Sequence, residues 1–143
     1  MDSIILDLDG TIANCNHRLH LLENKEWKEF FKQSKFDTVI EPVYKIINQL
    51  NNNYKIVILT SRPQFNHDIT IDWLTKNNID FDALYMRKLG DFRASPIVKS
   101  ELIDKIKSDG YNPIYAFEDR LDCIEAFNAK GIFTFKVGDE VSA

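Results

Sequence analysis

Cysteine, glycine and proline are scarce in this chain of 143 residues, which holds 2, 5 and 4 of them. The two cysteines, Cys15 and Cys123, offer neither a disulfide framework nor metal-ligand spacing. They read as free thiols of a reducing compartment, so the expected location is the cytoplasm. No apolar run is long enough to span a bilayer, and no membrane contact is expected. The N-terminus enters a strand at once, without a basic segment and an apolar one behind it, so no leader is expected. There is no internal repeat, linker or low-complexity tract. No G-x-x-x-x-G-K stretch occurs, which excludes a P-loop kinase within this sequence. Basic charge is short as well. Lys plus Arg is 18 against 22 Asp plus Glu, a formal charge of −4. That balance makes the chain a poor general nucleic-acid coat, but leaves room for one phosphate end in a locally basic pocket.

What is present is ordinary globular composition, 44% hydrophobic and 28% charged, which argues against disorder and against a fibre. A chain of this size buries about two-thirds of its unfolded surface, enough for one core, so one domain over 1–143 is expected.

The stretch "IILDLDGT", from Ile4 to Thr11, poses the functional problem. Ser3–Leu8 reads as a buried strand, yet it carries Asp7 and Asp9 and stops at Gly10, and a lone buried charge is expensive. An amphipathic insert of about 30 residues follows, roughly 12–41, with Trp27, Phe30 and Phe31 at helical spacing. "EPVYKIINQL" then reads as a helix with Pro42 in its first turn and Val43, Ile46, Ile47 and Leu50 on one face. Lys55–Leu59 is a strong strand ended by "TSRP". Asn66–Lys76 is a helix with Ile69, Trp73 and Leu74 inward. Phe81–Met86 is a weaker strand, and "RKLGDFRASP" a loop. Ile97–Lys107, Ile114–Phe117, Leu121–Lys130 and Ile132–Phe135 complete the alternation as helix, strand, helix and strand.

Strands alternating with helices imply an α/β fold, a five-stranded, mostly parallel sheet with helices on both faces. Ligands of such sheets bind at the carboxyl ends of the strands. Asp7 and Asp9 end the first strand, Thr60, Ser61 and Arg62 the second, and Glu118 and Asp119 the fourth, while Lys99 opens the preceding helix. Carboxylates gathered there repel one another. A hard divalent cation with oxygen ligands resolves this, and Mg²⁺ favours a few carboxylates with water and phosphate. Side chains alternate along an extended backbone, so Asp7 and Asp9 take different orientations, one suited to nucleophilic attack and the other to general acid work. Thr60, Ser61 and Lys99 supply donors that stabilise a transferring phosphoryl group.

In order and spacing, "DLDGT", "ILTSRP", Val98-Lys99 and "FEDR" resemble the four motifs of the haloacid dehalogenase (HAD) superfamily of phosphotransferases. The resemblance spans essentially the whole chain. It implies a three-layer Rossmann-like fold with a small cap or flap insert after the first strand, and a Mg²⁺-dependent phosphatase. It further implies that Asp7 attacks phosphorus and carries an aspartyl-phosphate, and that Asp9 protonates the leaving oxygen and then activates water. Thr60 would bind a phosphoryl oxygen, and Lys99 would neutralise charge. Mg²⁺ would sit on Asp7, the main-chain carbonyl of Asp9 and Asp119, with Glu118 acting through water.

A narrower resemblance is to the 3′-phosphatase domain of phage polynucleotide kinase/phosphatase. It rests on Arg18, Arg62 and "LYMRKLGDFRASPIVKSELI". It implies that Arg18 and Arg62 help hold the substrate. That group carries an Asp four residues before the third-motif lysine, where this chain has Ser95.

Plainer readings stand beside these. Asp122 reads as a first-turn helix acid. His17 and His20 read as loop histidines, since no further ligand has fitting spacing. Arg87, Lys88 and Arg93 form either a phosphate-binding patch or a solvated face. The Trp27–Phe31 stripe reads as core rather than as a cap that stacks a base.

The expected substrate is a nucleic-acid 3′-phosphate, with Arg18, Ser61, Arg62 and Arg93 binding it and no obligate protein partner. The alternatives are a 5′- or 3′-nucleotidase or other small-molecule phosphatase, and a binding protein that keeps the fold without turnover.

Overall fold

In the stretch from Ile4 to Leu6 there is no polar position, so a strand here needs cover on both faces. The computed structural model, which describes residues 1–138, supplies it. Strands β1 (Asp2–Leu6), β4 (Lys55–Pro63), β5 (Ala83–Arg87), β6 (Asn112–Glu118) and β7 (Phe133–Lys136) form one sheet in the order β5-β4-β1-β6-β7. All four pairings in it are parallel.

Alternate residues of the central strands divide between two cores, as the pleat requires. Ile4, Leu6, Ile56 and Ile58 pack with Val43 and Ile47 of α3 (Glu41–Leu50) and with Trp73 and Leu74 of α4 (His67–Lys76). Ile5, Val57 and Leu59 pack on the other face with Ile103 and Ile106 of α5 (Ser95–Ser108) and with Cys123 and Phe127 of α6 (Leu121–Ala129). Each fully buried aliphatic or aromatic side chain of this kind stabilises the fold by about 1.5–3 kcal/mol. The result is the three-layer architecture that the alternation predicts.

Between β1 and α3 the chain makes an excursion. Its base is a two-residue antiparallel ladder, β2 (Ala13–Asn14) against β3 (Thr38–Val39). Two short helices stand on it, α1 (His20–Glu23) and α2 (Trp27–Lys32), each flanked by a 3₁₀ turn. Among the described residues no helix is long and apolar enough to cross a membrane.

Three local expectations change. β4 continues through Pro63 instead of stopping at Leu59. Its pairing with β5 slips between Thr60 and Pro63, and side chains take over the backbone bonds. Thr60 Oγ1 accepts the Arg62 N–H at 3.1 Å, and Arg87 Nε donates to the Ser61 carbonyl at 3.0 Å. Ile46 is 50% exposed, because the α3 face that meets the core runs through Val43 and Ile47, with Leu50 at its edge. In α2 only Phe30 is buried, while Trp27 is 54% exposed.

Candidate active site

At the end of β1 the chain folds tightly around one carbonyl. The N–H groups of Thr11, Ile12 and Ala13 all reach the Leu8 oxygen, at 3.0, 3.0 and 2.9 Å, and Gly10 supplies the positive φ of +81° that this loop needs. Leu8 points into the core between Asp7 and Asp9, so the two carboxylates leave in different directions and enter different networks.

Asp7 faces α5 and the end of β6. Its Oδ1 accepts from Lys99 Nζ at 2.9 Å and its Oδ2 from Thr11 Oγ1 at 2.9 Å. Lys99 Nζ also donates to Glu118 Oε1 at 2.6 Å. Glu118 Oε2 in turn accepts the Asp119 N–H at 2.9 Å. Asp7, Lys99, Glu118 and Asp119 are each at most 4% exposed. Asp7 and Glu118 share the Lys99 ammonium, and Asp119 lies beside them. Burial and then the neighbouring Glu118 push the Asp7 carboxyl well up, against the pull of Lys99. Burial also acts against the Glu118 carboxylate, but the Lys99 charge and the hydrogen bonds around it together hold that carboxyl at about 2. Lys99 is held charged in spite of its burial by Asp7 and Glu118. Ligand oxygens of Asp7, Glu118 and Asp119 lie within 4.8 Å of one another. Hard oxygen donors with surplus negative charge are the set a hard divalent cation takes. The Asp9 carboxylate is not in this cluster.

Asp9 faces α4 and the insert. Arg62 Nη2 and Arg18 Nη2 donate to its Oδ1 at 2.7 and 2.5 Å, and Arg62 Nε lies 3.2 Å from Oδ2. A second buried carboxylate, Asp37, completes the cluster. It accepts from Arg18 Nε at 2.9 Å and from Arg18 Nη2 at 2.8 Å, and Arg62 Nη2 lies 3.4 Å away. The remaining arginine donors go to the Phe30 carbonyl and to Thr70 Oγ1. His17 Nε2 meets Asp37 Oδ1 at 2.7 Å, and Trp73 Nε1 fixes the Asp37 carbonyl at 2.8 Å. Burial works against the Asp9 carboxylate, yet Arg62 and then Arg18 overcome it and hold the carboxyl well below its ordinary range.

One pocket at the carboxyl edge of the sheet brings Asp7, Asp9, Thr60, Ser61, Arg62, Lys99 and Asp119 together. Glu118 lies directly behind it, bonded to Lys99. Ser61 Oγ donates to Ser95 Oγ at 2.9 Å, so the serine that stands where an Asp was expected meets the second motif. Arg18 and Arg62 are both at most 1% exposed and turn onto Asp9 and Asp37. Arg93 lies apart on the surface, paired with Asp91 and Glu101. Arg87 shapes the loop before α5 by donating to the carbonyls of Ser61, Asp91 and Arg93. The loop arginines therefore make structural contacts.

Sequence reasoning missed Thr11, Asp37, Phe31 as a pocket wall, and Arg120, which also lines the pocket. Thr11 sits in the quoted motif and could have been found. Asp37 could not, since an acid next to a two-residue strand has no local signature.

A parallel α/β sheet whose carboxyl edge gathers these acids, one lysine and two hydroxyl residues is the architecture of a HAD-superfamily phosphatase. Solved structures share the fold. The chain aligns over 99% of its length with one chain of a Pnkp1/Rnl/Hen1 complex, at TM-score 0.84 and 24% identity. It aligns over 96% with a chain of a Pnkp1/Rnl/Hen1 RNA repair complex, at TM-score 0.84 and 25% identity. The chain covers 47% and 42% of those two chains, less than half of each. A HAD-family enzyme of Bacteroides thetaiotaomicron, solved as a magnesium complex, aligns at TM-score 0.60 and 16% identity, covering 95% of this chain and 92% of that one. No curated protein matches the chain significantly. The family model described as the polynucleotide kinase PNKP phosphatase domain matches residues 1–140, and the chain belongs to that family. It is a HAD-family phosphatase domain.

Proposed function

We propose that the chain is a Mg²⁺-dependent phosphomonoesterase that removes the 3′-phosphate from a nucleic-acid end, working through Asp7. The observation that carries this reading is the position of the Asp7 carboxylate. It stands in the pocket beside Thr60 and Ser61, with Lys99 Nζ 2.9 Å from one oxygen and the Thr11 hydroxyl 2.9 Å from the other. Those contacts fix the carboxylate for attack on phosphorus and leave the pocket side open to an incoming ester.

The carboxylates of Asp7 and Asp119, the Asp9 carbonyl and, through water, Glu118 would hold Mg²⁺, and the convergence of three buried acids fits that ion. When bound it supplies charge neutralisation for the phosphate and for Asp7. Lys99 and the hydroxyls of Thr60 and Ser61 orient the phosphoryl oxygens. Asp7 attacks, the ester bond breaks, and an aspartyl-phosphate forms. Asp9 gives a proton to the leaving oxygen, then takes one from the water that hydrolyses the intermediate. The guanidinium groups of Arg18 and Arg62 favour the ionised form of Asp9, which suits the second half-reaction. For the first, the phosphate dianion that arrives beside Asp9 raises its proton affinity against the arginines. The two arginines thus act on Asp9 rather than on the substrate.

Nucleic acid is the proposed substrate because the family match is to a polynucleotide kinase phosphatase domain, and RNA comes first because one structural relative is an RNA repair complex. The insert over 12–41 would be a small cap of a single domain, and the enzyme would work in the cytoplasm, where Cys15 and Cys123, both buried and unbridged, stay reduced. A mononucleotide is the second reading. It is favoured by the engagement of Arg87 and Arg93 with the protein itself.

The test is phosphate release with Mg²⁺ from a 3′-phosphorylated RNA oligonucleotide and its DNA counterpart, beside 3′- and 5′-mononucleotides, for wild type and Asp7→Asn. Faster release from an oligonucleotide, abolished by the substitution, supports the reading. Faster release from a mononucleotide moves the enzyme to the second reading. Turnover that survives Asp7→Asn removes the mechanism.

A further inference from the structure

A phenylalanine ring of the pocket wall meets a second, exposed ring from a different element. Phe31, on α2, forms part of that wall beside Asp9 and Arg62. Phe65, in the turn that follows β4, is 52% exposed. Their centroids are 5.9 Å apart with planes at 79°, an edge-to-face pair.

Behind the rings lies a rigid polar support. Ser34 Oγ donates to the Phe31 carbonyl at 2.6 Å, Asn66 Nδ2 lies 3.4 Å from that same hydroxyl, and it lies 3.3 Å from Thr70 Oγ1. Ser34, Asn66 and Thr70 are fully buried. Thr70 also accepts from Arg62 Nη1 at 3.1 Å, so the support continues into the Asp9 cluster. On the other side Phe30 is clamped under Arg18, with the guanidinium carbon 4.3 Å from the ring centre. The fold therefore sets Phe31 in the pocket wall with the exposed Phe65 ring edge-to-face against it.

We infer that Phe31 and Phe65 form a stacking platform for the nucleobase of the nucleotide that carries the phosphate. The inference rests on the proposed nucleic-acid substrate and deepens it. A phosphate seated against Asp7 must send its sugar and base out through the pocket mouth, and Phe31 is the apolar wall there. Every base has a π-face, so such a platform accepts any terminal nucleotide and rejects an ester without a base. Rings already held in place lose little freedom on binding. Arg62, Arg87 and Arg93 are engaged within the protein, and stacking adds a grip on the terminal nucleoside that does not draw on them.

The experiment compares two 3′-phosphorylated oligonucleotides that are identical except that the last nucleotide of one is abasic. The value of kcat/KM is measured on both for wild type, Phe31→Ala, Phe31→Leu, Phe31→Trp and Phe65→Ala. Wild type is expected to favour the base-bearing end by roughly 5- to 150-fold. The ratio should fall toward 1 in Phe31→Ala and Phe65→Ala, mainly through KM. It should fall likewise in Phe31→Leu, which keeps the apolar volume without the ring, and persist in Phe31→Trp. Equal use of both ends by wild type overturns the platform while sparing the phosphatase reading. So does a ratio that survives loss of either ring. Release from neither oligonucleotide, with mononucleotides still cleaved, overturns the nucleic-acid reading and the platform with it.

Discussion

Arg62 grips Asp9 from one side with two nitrogens, Nη2 at 2.7 Å from Oδ1 and Nε at 3.2 Å from Oδ2, and the arginine is 1% exposed. A planar fork sets both the position and the rotation of a carboxylate, which a single ammonium cannot do. Asp9 is therefore held in one orientation before any substrate arrives. Arg62→Lys keeps the charge and loses the fork. It should lower kcat by about 10- to 100-fold with little change in KM, because a carboxylate off its line serves proton transfer poorly. Steady-state kinetics at saturating substrate decide it. A rise in KM at unchanged kcat would mean that Arg62 holds substrate.

Asp37 has no place in the pocket wall, yet Arg18 depends on it. It is 6% exposed and meets Arg18 through both of its oxygens. Replacing it with Asn leaves two buried guanidinium groups sharing one carboxylate. Breaking a buried pair in this way costs about 3–5 kcal/mol. By contrast Asp104, whose side chain is 62% exposed in its pair with Lys130, should contribute about 0–1 kcal/mol. Urea unfolding of Asp37→Asn and Asp104→Asn measures both. Equal losses would show that the buried network is no stronger than a surface pair.

The sheet order and the gathering of Asp7, Thr60, Lys99 and Asp119 were legible in the sequence, because apolar strands alternate with helices and each motif ends a strand or opens a helix. The direction of Arg18 and Arg62 was not. A motif position tells that an arginine reaches the site, while the partner it reaches depends on Asp37, 19 and 25 residues away along the chain. The length of β4 was hidden for a related reason. "TSRP" reads as the end of the strand, and the bonds from Arg87 and within Thr60–Arg62 let it continue as a bulged strand. Phe31 was hidden in a stripe whose period says which residues share a helix face, but not which of them turns to the core.

The depressed pKa of Asp9 carries a sign for stability. Its ordinary value is 3.8, and the folded protein holds it lower. A lowered folded value stabilises the native state at any pH above the ordinary one, and that contribution fades as the pH falls below it. Asp9→Asn removes the titrating group. The stability of wild type should therefore fall more steeply than that of Asp9→Asn between about pH 5 and pH 2. Urea midpoints across that range test this, and parallel curves would mean that the arginines do not hold the ionised form.

Asp7, Glu118 and Asp119 make the last prediction, because their ligand oxygens converge on one place where a hard cation would bind. A divalent ion that binds only the folded state raises its stability by about 2.7 kcal/mol at a hundred times its Kd. Thermal unfolding of wild type should thus shift upward with added Mg²⁺ and return on chelation, with no substrate present. Asp119→Asn takes away one ligand of the convergent set. Its Mg²⁺ shift should largely vanish, while Asp104→Asn, changed at an exposed carboxylate outside the site, should keep the full shift. The comparison separates loss of a ligand from loss of charge alone. An Asp119→Asn variant that keeps the full Mg²⁺ shift would place the ion elsewhere.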